Sequence, residues 1–246
     1  MKAFAPALML AVSLAACGSK DAGQTQAAPV KAVLAPAGQD WTQTVSKTAE
    51  GYVMGNPNAP IKLVEYGSRL CPVCKALATD GYQPLTDTYV KSGKVSFEFR
   101  EFLVHGAPDM PPALLGTCVG PQPFFPLLEQ MFANQEAFED ALQKATPAQQ
   151  QAIQAAPPAQ RFRVMAEVMG LIDFVKQRGV PAPQADGCLT NMAEIDRLTK
   201  QTQDKGPEQG GGDGTVSGTP TLILNGRNLG TLSWNQLQQA LKTAGA

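Results

Sequence analysis

Strand-like sequence in this chain is confined to two places, and the long text between them is helical. The first place holds Ile61-Lys-Leu-Val-Glu-Tyr66 and Lys94-Val-Ser-Phe-Glu-Phe-Arg100, the second Pro220-Thr-Leu-Ile-Leu-Asn225, each rich in β-branched and aromatic residues. An all-β chain would repeat short strands and turns along its whole length. Here the intervening text carries apolar stripes at steps of three and four, the period of a helix with one buried face. Leu127, Leu128, Met131 and Phe132 fit one face, Phe162, Met165, Met169, Ile172 and Val175 a second, and Cys188, Met192, Ile195 and Leu198 a third. Pro157-Pro158 and Pro181-Ala-Pro183 separate them, because proline cannot continue a helix. Ser233 is placed to cap a closing helix that runs to Lys242. The order is strand, helix, strand, helical block, strand, turn, helix, which is an α/β arrangement.

Charge excludes one large class of function. Twenty basic residues stand against 21 acidic ones, a net charge of −1, so there is no basic footprint for a phosphate backbone and nucleic acid is not an expected partner. With 43% hydrophobic and 17% charged residues the chain has ample core material for a globular fold.

The most apolar stretch, Ala3 to Ala16, is shorter than the ~18–20 residues that cross a bilayer. It follows Lys2 and ends in Leu14-Ala-Ala-Cys17-Gly18, the charged start, apolar middle and small-residue end of an export signal. Leu-Ala-Ala-Cys resembles the lipobox of bacterial lipoproteins. On that reading residues 1–16 are removed and Cys17 is acylated, each buried CH₂ contributing ~0.8 kcal/mol to membrane attachment. The alternative is an ordinary secretory signal with an incidental cysteine. Gly18 after the cysteine, rather than Asp, resembles lipoproteins sorted to the outer membrane. Residues 17–40, rich in Ala, Gln, Pro and Gly, read as the lipidated cysteine and a tether. Residues 41–246 read as one domain with a helical insertion at about 107–205.

The chemistry sits where the first strand bends into a helix, at Ser68-Arg-Leu-Cys71-Pro72-Val73-Cys74. Two cysteines three apart can close a small disulfide ring. The one at the helix start gains from the partial positive charge of unpaired N–H groups, which favours thiolate over thiol. Cys71 is therefore the candidate nucleophile and Cys74, one turn further in, the resolving thiol. Pro72 at the first helical position forfeits no hydrogen bond. A metal half-site would need a second Cys/His pair, yet Cys118 and Cys188 lie far apart and His105 is the sole histidine, so no metal is expected. A purely structural ring is the other reading. His105 reads as a structural histidine, and Gly210-Gly-Gly-Asp-Gly214 lacks the Lys-Ser/Thr of a phosphate loop.

Gly55-Asn-Pro-Asn-Ala-Pro60, Glu65-Tyr-Gly-Ser68, Cys71-Pro-Val-Cys74 and Val216-Ser-Gly-Thr-Pro220-Thr-Leu-Ile-Leu-Asn-Gly226 together resemble the DsbA-like branch of the thioredoxin superfamily, from about Gly51 to Thr243. The resemblance implies a mixed sheet with an inserted helical domain. It implies that Pro220 is cis and faces the cysteine pair, proline being the residue whose cis bond costs only ~0.5–1 kcal/mol, with a trans proline opening an edge strand as the alternative. Thr219 would then offer its backbone to an extended substrate. Glu65 resembles the buried acid of such proteins, able to carry the proton of Cys74; a solvent-facing glutamate is the alternative. Some members carry a second disulfide in the helical block, which Cys118 and Cys188 would form unless they are two separate buried thiols.

The expected activity is thiol–disulfide exchange on protein cysteines in the cell envelope, with no cofactor beyond the cysteine pair. A disulfide-forming oxidase is favoured; a reductase, an isomerase or a non-enzymatic binding scaffold are the alternatives. Isomerases of the superfamily usually carry an N-terminal dimerisation domain, for which the tether leaves no room, so an isomerase is less expected than an oxidase or a reductase; a monomer is the expected form. In DsbA the residue at Val73 is typically histidine, which steadies the thiolate. Valine there predicts a less acidic Cys71 and a less oxidising couple. Expected partners are exported proteins with cysteines and a membrane or thioredoxin-like redox partner.

Overall fold

The computed structural model describes Met1 and residues 27–246; the expected signal segment beyond Met1 and the lipid site Cys17 lie outside the described residues. Six strands form one sheet, and its centre is the parallel pair β3 (Ile61–Gly67) and β4 (Val95–Glu101), in register from Ile61 opposite Val95 to Gly67 opposite Glu101. Parallel neighbours need a crossover. It is supplied by α1 (Pro72–Pro84) and one further π-helical stretch, Leu85–Val90. A hairpin of β1 (Val45–Lys47) and β2 (Tyr52–Met54) extends the sheet beyond β4. On the other side β5 (Thr221–Leu224) pairs antiparallel with β3, and β6 (Arg227–Gly230) closes the edge.

Between β4 and β5 lie eight α-helices: α2 (Met110–Cys118), α3 (Pro121–Ala133), α4 (Gln135–Gln143), α5 (Pro147–Ala155), α6 (Pro158–Val168), α7 (Leu171–Lys176), α8 (Ala182–Leu189) and α9 (Met192–Lys205). The expected α/β sheet with a helical insertion is thus the fold. The closing helix α10 (Trp234–Thr243) starts at Ser233, whose hydroxyl and Gln236 form a reciprocal capping box. Among the described residues no helix is long and apolar enough to cross a membrane.

Alternation along β3 decides what faces inward. Ile61, Leu63 and Glu65 share one face, and Ile61 and Leu63 pack into a core with Leu77, Phe97, Phe99, Leu222, Trp234 and Leu237. Glu65 is therefore carried into the apolar layer between sheet and helices. A second core gathers within the helical insertion, around Leu114, Met165, Leu171, Val175 and Leu198.

The apolar stripes of the helical block divide differently from their sequence reading. Leu127 and Met131 join the insertion core, whereas Leu128 and Phe132 turn to the sheet with Phe124 and Phe125. Helix α3 is apolar on two faces because it lies between the two cores. Tyr52 stacks on Phe124 at 4.1 Å, and Phe97 meets Phe125 at 5.7 Å. The second stripe breaks at Gly170, whose left-handed φ of 73° ends α6 and starts α7. The third breaks between α8 and α9, where Asn191 caps the new helix and Met192 is exposed.

The stretch 18–40 was expected to be free tether. Residues 27–39 instead run along the domain: Ala27 N–H donates to Thr243 O at 2.9 Å, Val30 N–H to Gly245 O at 2.7 Å and Val33 N–H to Ser92 O at 2.9 Å. Trp41 fixes the entry through a 2.6 Å bond from its indole to Val33 O.

Candidate active site

Helix α1 begins at the cysteine motif. Cys71 is its N-cap, with extended backbone (φ −84°, ψ 118°), and the Cys74 N–H donates to Cys71 Sγ at 3.4 Å. Both cysteines are free thiols; Cys71 is 5% exposed and Cys74 is sealed. The preceding turn is closed by Ser68, whose hydroxyl accepts from Leu70 N–H at 3.0 Å and donates to Asp109 at 2.7 Å. Asp109 also holds His105, accepting from its backbone N–H at 2.6 Å and lying 3.0 Å from its ring Nδ1. His105 thereby braces the loop that supports the motif without reaching the thiols.

The Thr219–Pro220 peptide bond is cis. It brings the carbonyl oxygen of Thr219 to 3.3 Å from Cys71 Sγ, so two segments at opposite ends of the domain meet at one sulfur. Thr221, the next residue, pairs with Tyr66 on β3, which fixes the approach from the sheet.

Electrostatics separate the two sulfurs. The Cys71 thiol is lowered to about 6, first by the hydrogen bond from Cys74, then by Thr219 and by the N–H groups of Cys74 and Val73, against the opposing effect of burial. Cys74 moves the other way: burial, its bond to Cys71 and the charges of Glu65 and Cys71 hold it well above an ordinary thiol. Such a pair has one sulfur poised as thiolate and one that must lose a proton before it can attack.

Glu65 lies inside, 7% exposed, with its carboxyl pushed up to about 8 by burial and then by the charges of Glu129, Cys71 and Glu101. It is a neutral acid at neutral pH. A further glutamate, Glu129 on α3, lines the same cavity as Glu65. No sequence signal marks it, since a single acid on a helix normally faces water.

Arg69 is a second group that the sequence reading passed over. It is sealed among β4, α2 and α3. Its Nε donates to Glu101 at 2.8 Å, Nη1 meets Met131 Sδ at 3.3 Å, and the guanidinium lies 5.1 Å from the Phe124 ring. Gly116 on α2 leaves room for it: a Cβ there would stand 2.1 Å from the guanidinium carbon. The backbone carbonyl of Arg69 also accepts from Gln135 at 3.0 Å.

The structure thus brings Cys71, Cys74, Thr219, Pro220 and Glu65 to one place. Cys118 and Cys188 are joined as a disulfide within the insertion, with Cα atoms 5.9 Å apart across 70 positions, and take no part in the site. A loop of that length contributes about 4 kcal/mol by the chain-entropy argument. Among the described residues no group of three or more His, Cys, Asp or Glu side chains gathers as a metal site.

A family model described as thioredoxin matches residues 47–243. A solved structure of a protein-disulfide isomerase from Novosphingobium aromaticivorans is 32% identical, with a TM-score of 0.70, covering 79% of this chain and 97% of that one. Alpha-DsbA1 of Wolbachia pipientis shares the fold at 15% identity and a TM-score of 0.59, over 87% and 94% of the two chains. Disulfide bond formation protein D of Bacillus subtilis is 30% identical over 86 residues, 34% of this chain. That match spans only 39% of the curated relative's length.

Proposed function

Because the chain belongs to the thioredoxin family, with the inserted helices of its DsbA-like members, we propose that it is an envelope thiol:disulfide oxidoreductase acting on protein cysteines, and that it works as a disulfide-forming oxidase. The observation that carries this reading is the asymmetry of the cysteine pair. Cys71 caps α1 with a thiol lowered to about 6 beside the Thr219–Pro220 turn, while Cys74 is sealed and held high.

In the oxidising direction a substrate thiolate attacks Cys71 Sγ, and Cys74 departs with the electron pair of the broken bond and takes a proton from Glu65. A second substrate cysteine then displaces Cys71, which leaves readily because its thiolate is stabilised. Thr219 offers backbone to the substrate beside that sulfur, and Pro220 sets the turn. The cysteine pair is the only redox group the reaction needs. A redox partner of the membrane, or another thioredoxin-like protein, would restore the disulfide. Exported proteins with cysteines are the substrates, and the working form is a monomer.

The export and lipidation pattern at Leu14-Ala-Ala-Cys17-Gly18 supports attachment through acylated Cys17, facing the periplasm and favouring the outer membrane.

The test is the reduction potential of the Cys71/Cys74 couple against glutathione, read by alkylation and peptide mass spectrometry. A value near or above roughly −180 mV supports the oxidase, and one near roughly −270 mV makes the protein a reductase. Isomerase activity is a second reading, favoured by the likeness to the Novosphingobium protein-disulfide isomerase; reactivation of a scrambled disulfide protein without added oxidant would establish it.

A further inference from the structure

Glu65 as proton carrier for Cys74 leaves a question of route, since a carboxyl group that is only 7% exposed must itself be recharged from water. It lines a cavity of about 20 Å³, walled also by Leu77, Tyr82, Phe97, Trp234 and the second carboxyl-bearing residue, Glu129. One water needs about 10–15 Å³ on this measure and two or more polar partners. Glu65 and Glu129 are the two carboxyl-bearing residues that line it.

Glu129 differs from Glu65 in reaching outward. The residue is only half-buried, yet its Oε1 is enclosed and has no hydrogen-bond partner in the protein. An enclosed, unpaired carboxyl oxygen costs free energy that a helix surface position would avoid, so its place against the cavity calls for a partner. The ionisable groups around the cavity are Glu65 on β3, Tyr82 on α1 and Glu129 on α3, with Cys71 and Cys74 above and Glu101, paired to Arg69, behind. Among the described residues no lysine, arginine or histidine lines the cavity.

We propose that Glu129 is the outer station of a proton relay, joined to Glu65 through a water in this cavity, and that protons reach and leave Cys74 by that route. The proposal rests on the reading of Glu65 as the proton carrier of the exchange reaction. When a substrate thiolate attacks Cys71, the Cys71–Cys74 bond breaks and Cys74 keeps its electron pair. The Cys74 thiolate takes the Glu65 proton, Glu65 is reprotonated from Glu129 through the water, and Glu129 is recharged from solvent. On reoxidation by a partner disulfide the proton returns along the same path while the electron pair passes to the partner. Both acids stand near neutrality, Glu65 at about 8 and Glu129 at about 7, each raised chiefly by burial, so a proton can pass between them with little cost. Glu129 touches no reacting atom; it acts through Glu65.

The experiment is stopped-flow reduction of the disulfide form by dithiothreitol from about pH 5 to about pH 9, on the parent, Glu129→Gln, Glu65→Gln and the double variant, each first checked for an unchanged far-ultraviolet spectrum. Loss of a general acid costs ~10²–10⁴-fold, and loss of a relay behind it less, so Glu65→Gln is expected to slow the reaction most and Glu129→Gln about tenfold at neutral pH. Glu129→Gln should also flatten the rate profile near pH 7, Glu129→Asp should restore part of it, and the double variant should be no slower than Glu65→Gln. If Glu129→Gln keeps the parent's profile while Glu65→Gln is slow, the relay is wrong and Glu65 stands as carrier. If Glu65→Gln is as fast as the parent, the reading of Glu65 fails and the relay fails with it. Should Glu129→Gln not fold, Glu129→Ala takes its place: a slowed reaction with a flattened profile near pH 7 is expected, and a parental profile overturns the proposal.

Discussion

Arg69 and Glu101 form an ion pair at 2.8 Å in which the two side chains are 1% and 3% exposed. Arg69 belongs to the loop that presents Cys71, and Glu101 ends β4, so the pair ties the reactive loop to the sheet beneath the helical insertion. Burying two charges is costly, and the pair recovers that cost only while both partners are present. Burial raises the Glu101 carboxyl and Arg69 opposes that rise.

Arg69→Met is accordingly expected to destabilise the fold by about 3–5 kcal/mol in urea unfolding, because it leaves the buried Glu101 carboxyl without its partner. The double variant Arg69→Met/Glu101→Leu should recover much of the loss. The single variant should also lose stability as pH rises, since Glu101 without its cation stays protonated in the fold and ionises only when unfolded. Additive single and double losses would mean that the pair does not hold the loop.

Cys71 should carry the pH dependence of alkylation. With its thiol near 6, against ~8.5 for a free cysteine, the rate of iodoacetamide labelling of the reduced protein is expected to rise through about pH 6 and level off by neutrality. Cys71→Ser should abolish the fast phase and Cys74→Ser should keep it. An inflection near the ordinary cysteine value would remove the electrostatic basis of the proposed activity.

Glu65 gives a pH effect on stability. In the fold it ionises at about 8 and in the unfolded chain near the ordinary glutamate value of 4.5. Between these values the folded form holds the proton and the unfolded form does not, so stability declines as pH rises across that window. Measured on the disulfide form, where the cysteines do not titrate, thermal unfolding of the parent should weaken from acid to neutral pH by a few kcal/mol. Glu65→Gln should lack that slope and be the more stable protein at neutral pH. Parallel curves would place Glu65 in a wetter setting than its burial indicates.

What could be read in advance follows physical lines. The strands β3, β4 and β5 announced themselves as β-branched and aromatic runs, and the cysteine pair as a covalent spacing at a strand-to-helix bend. The hairpin strands β1 and β2 are three residues each, too short for any alternation to register. Gly170 and Asn191 cut stripes that a helical period runs straight through. Arg69 and Glu129 were illegible for another reason: each is an ordinary charged residue whose burial depends on α3 being wedged between two cores. Sequence spacing along a single helix does not report such a wedge.

Val73, between the cysteines, is 50% exposed, so a larger polar side chain can be placed there without disturbing the core. Its N–H already steadies the Cys71 thiolate, but its side chain adds neither a donor nor a charge. Val73→His would supply both. If the imidazole lowers the Cys71 thiol by about one unit, the thiolate of the reduced form gains about 1.4 kcal/mol at neutral pH, because Cys71 is already largely ionised there. The disulfide form has no thiolate to gain from the change. Stabilising only the reduced form makes the couple more oxidising, by about 30 mV for two electrons. The expected result is therefore a less negative potential against glutathione together with a lower alkylation inflection. The two shifts are one effect read twice, and a change in potential without a change in the inflection would mean that the substitution acts on the disulfide form instead.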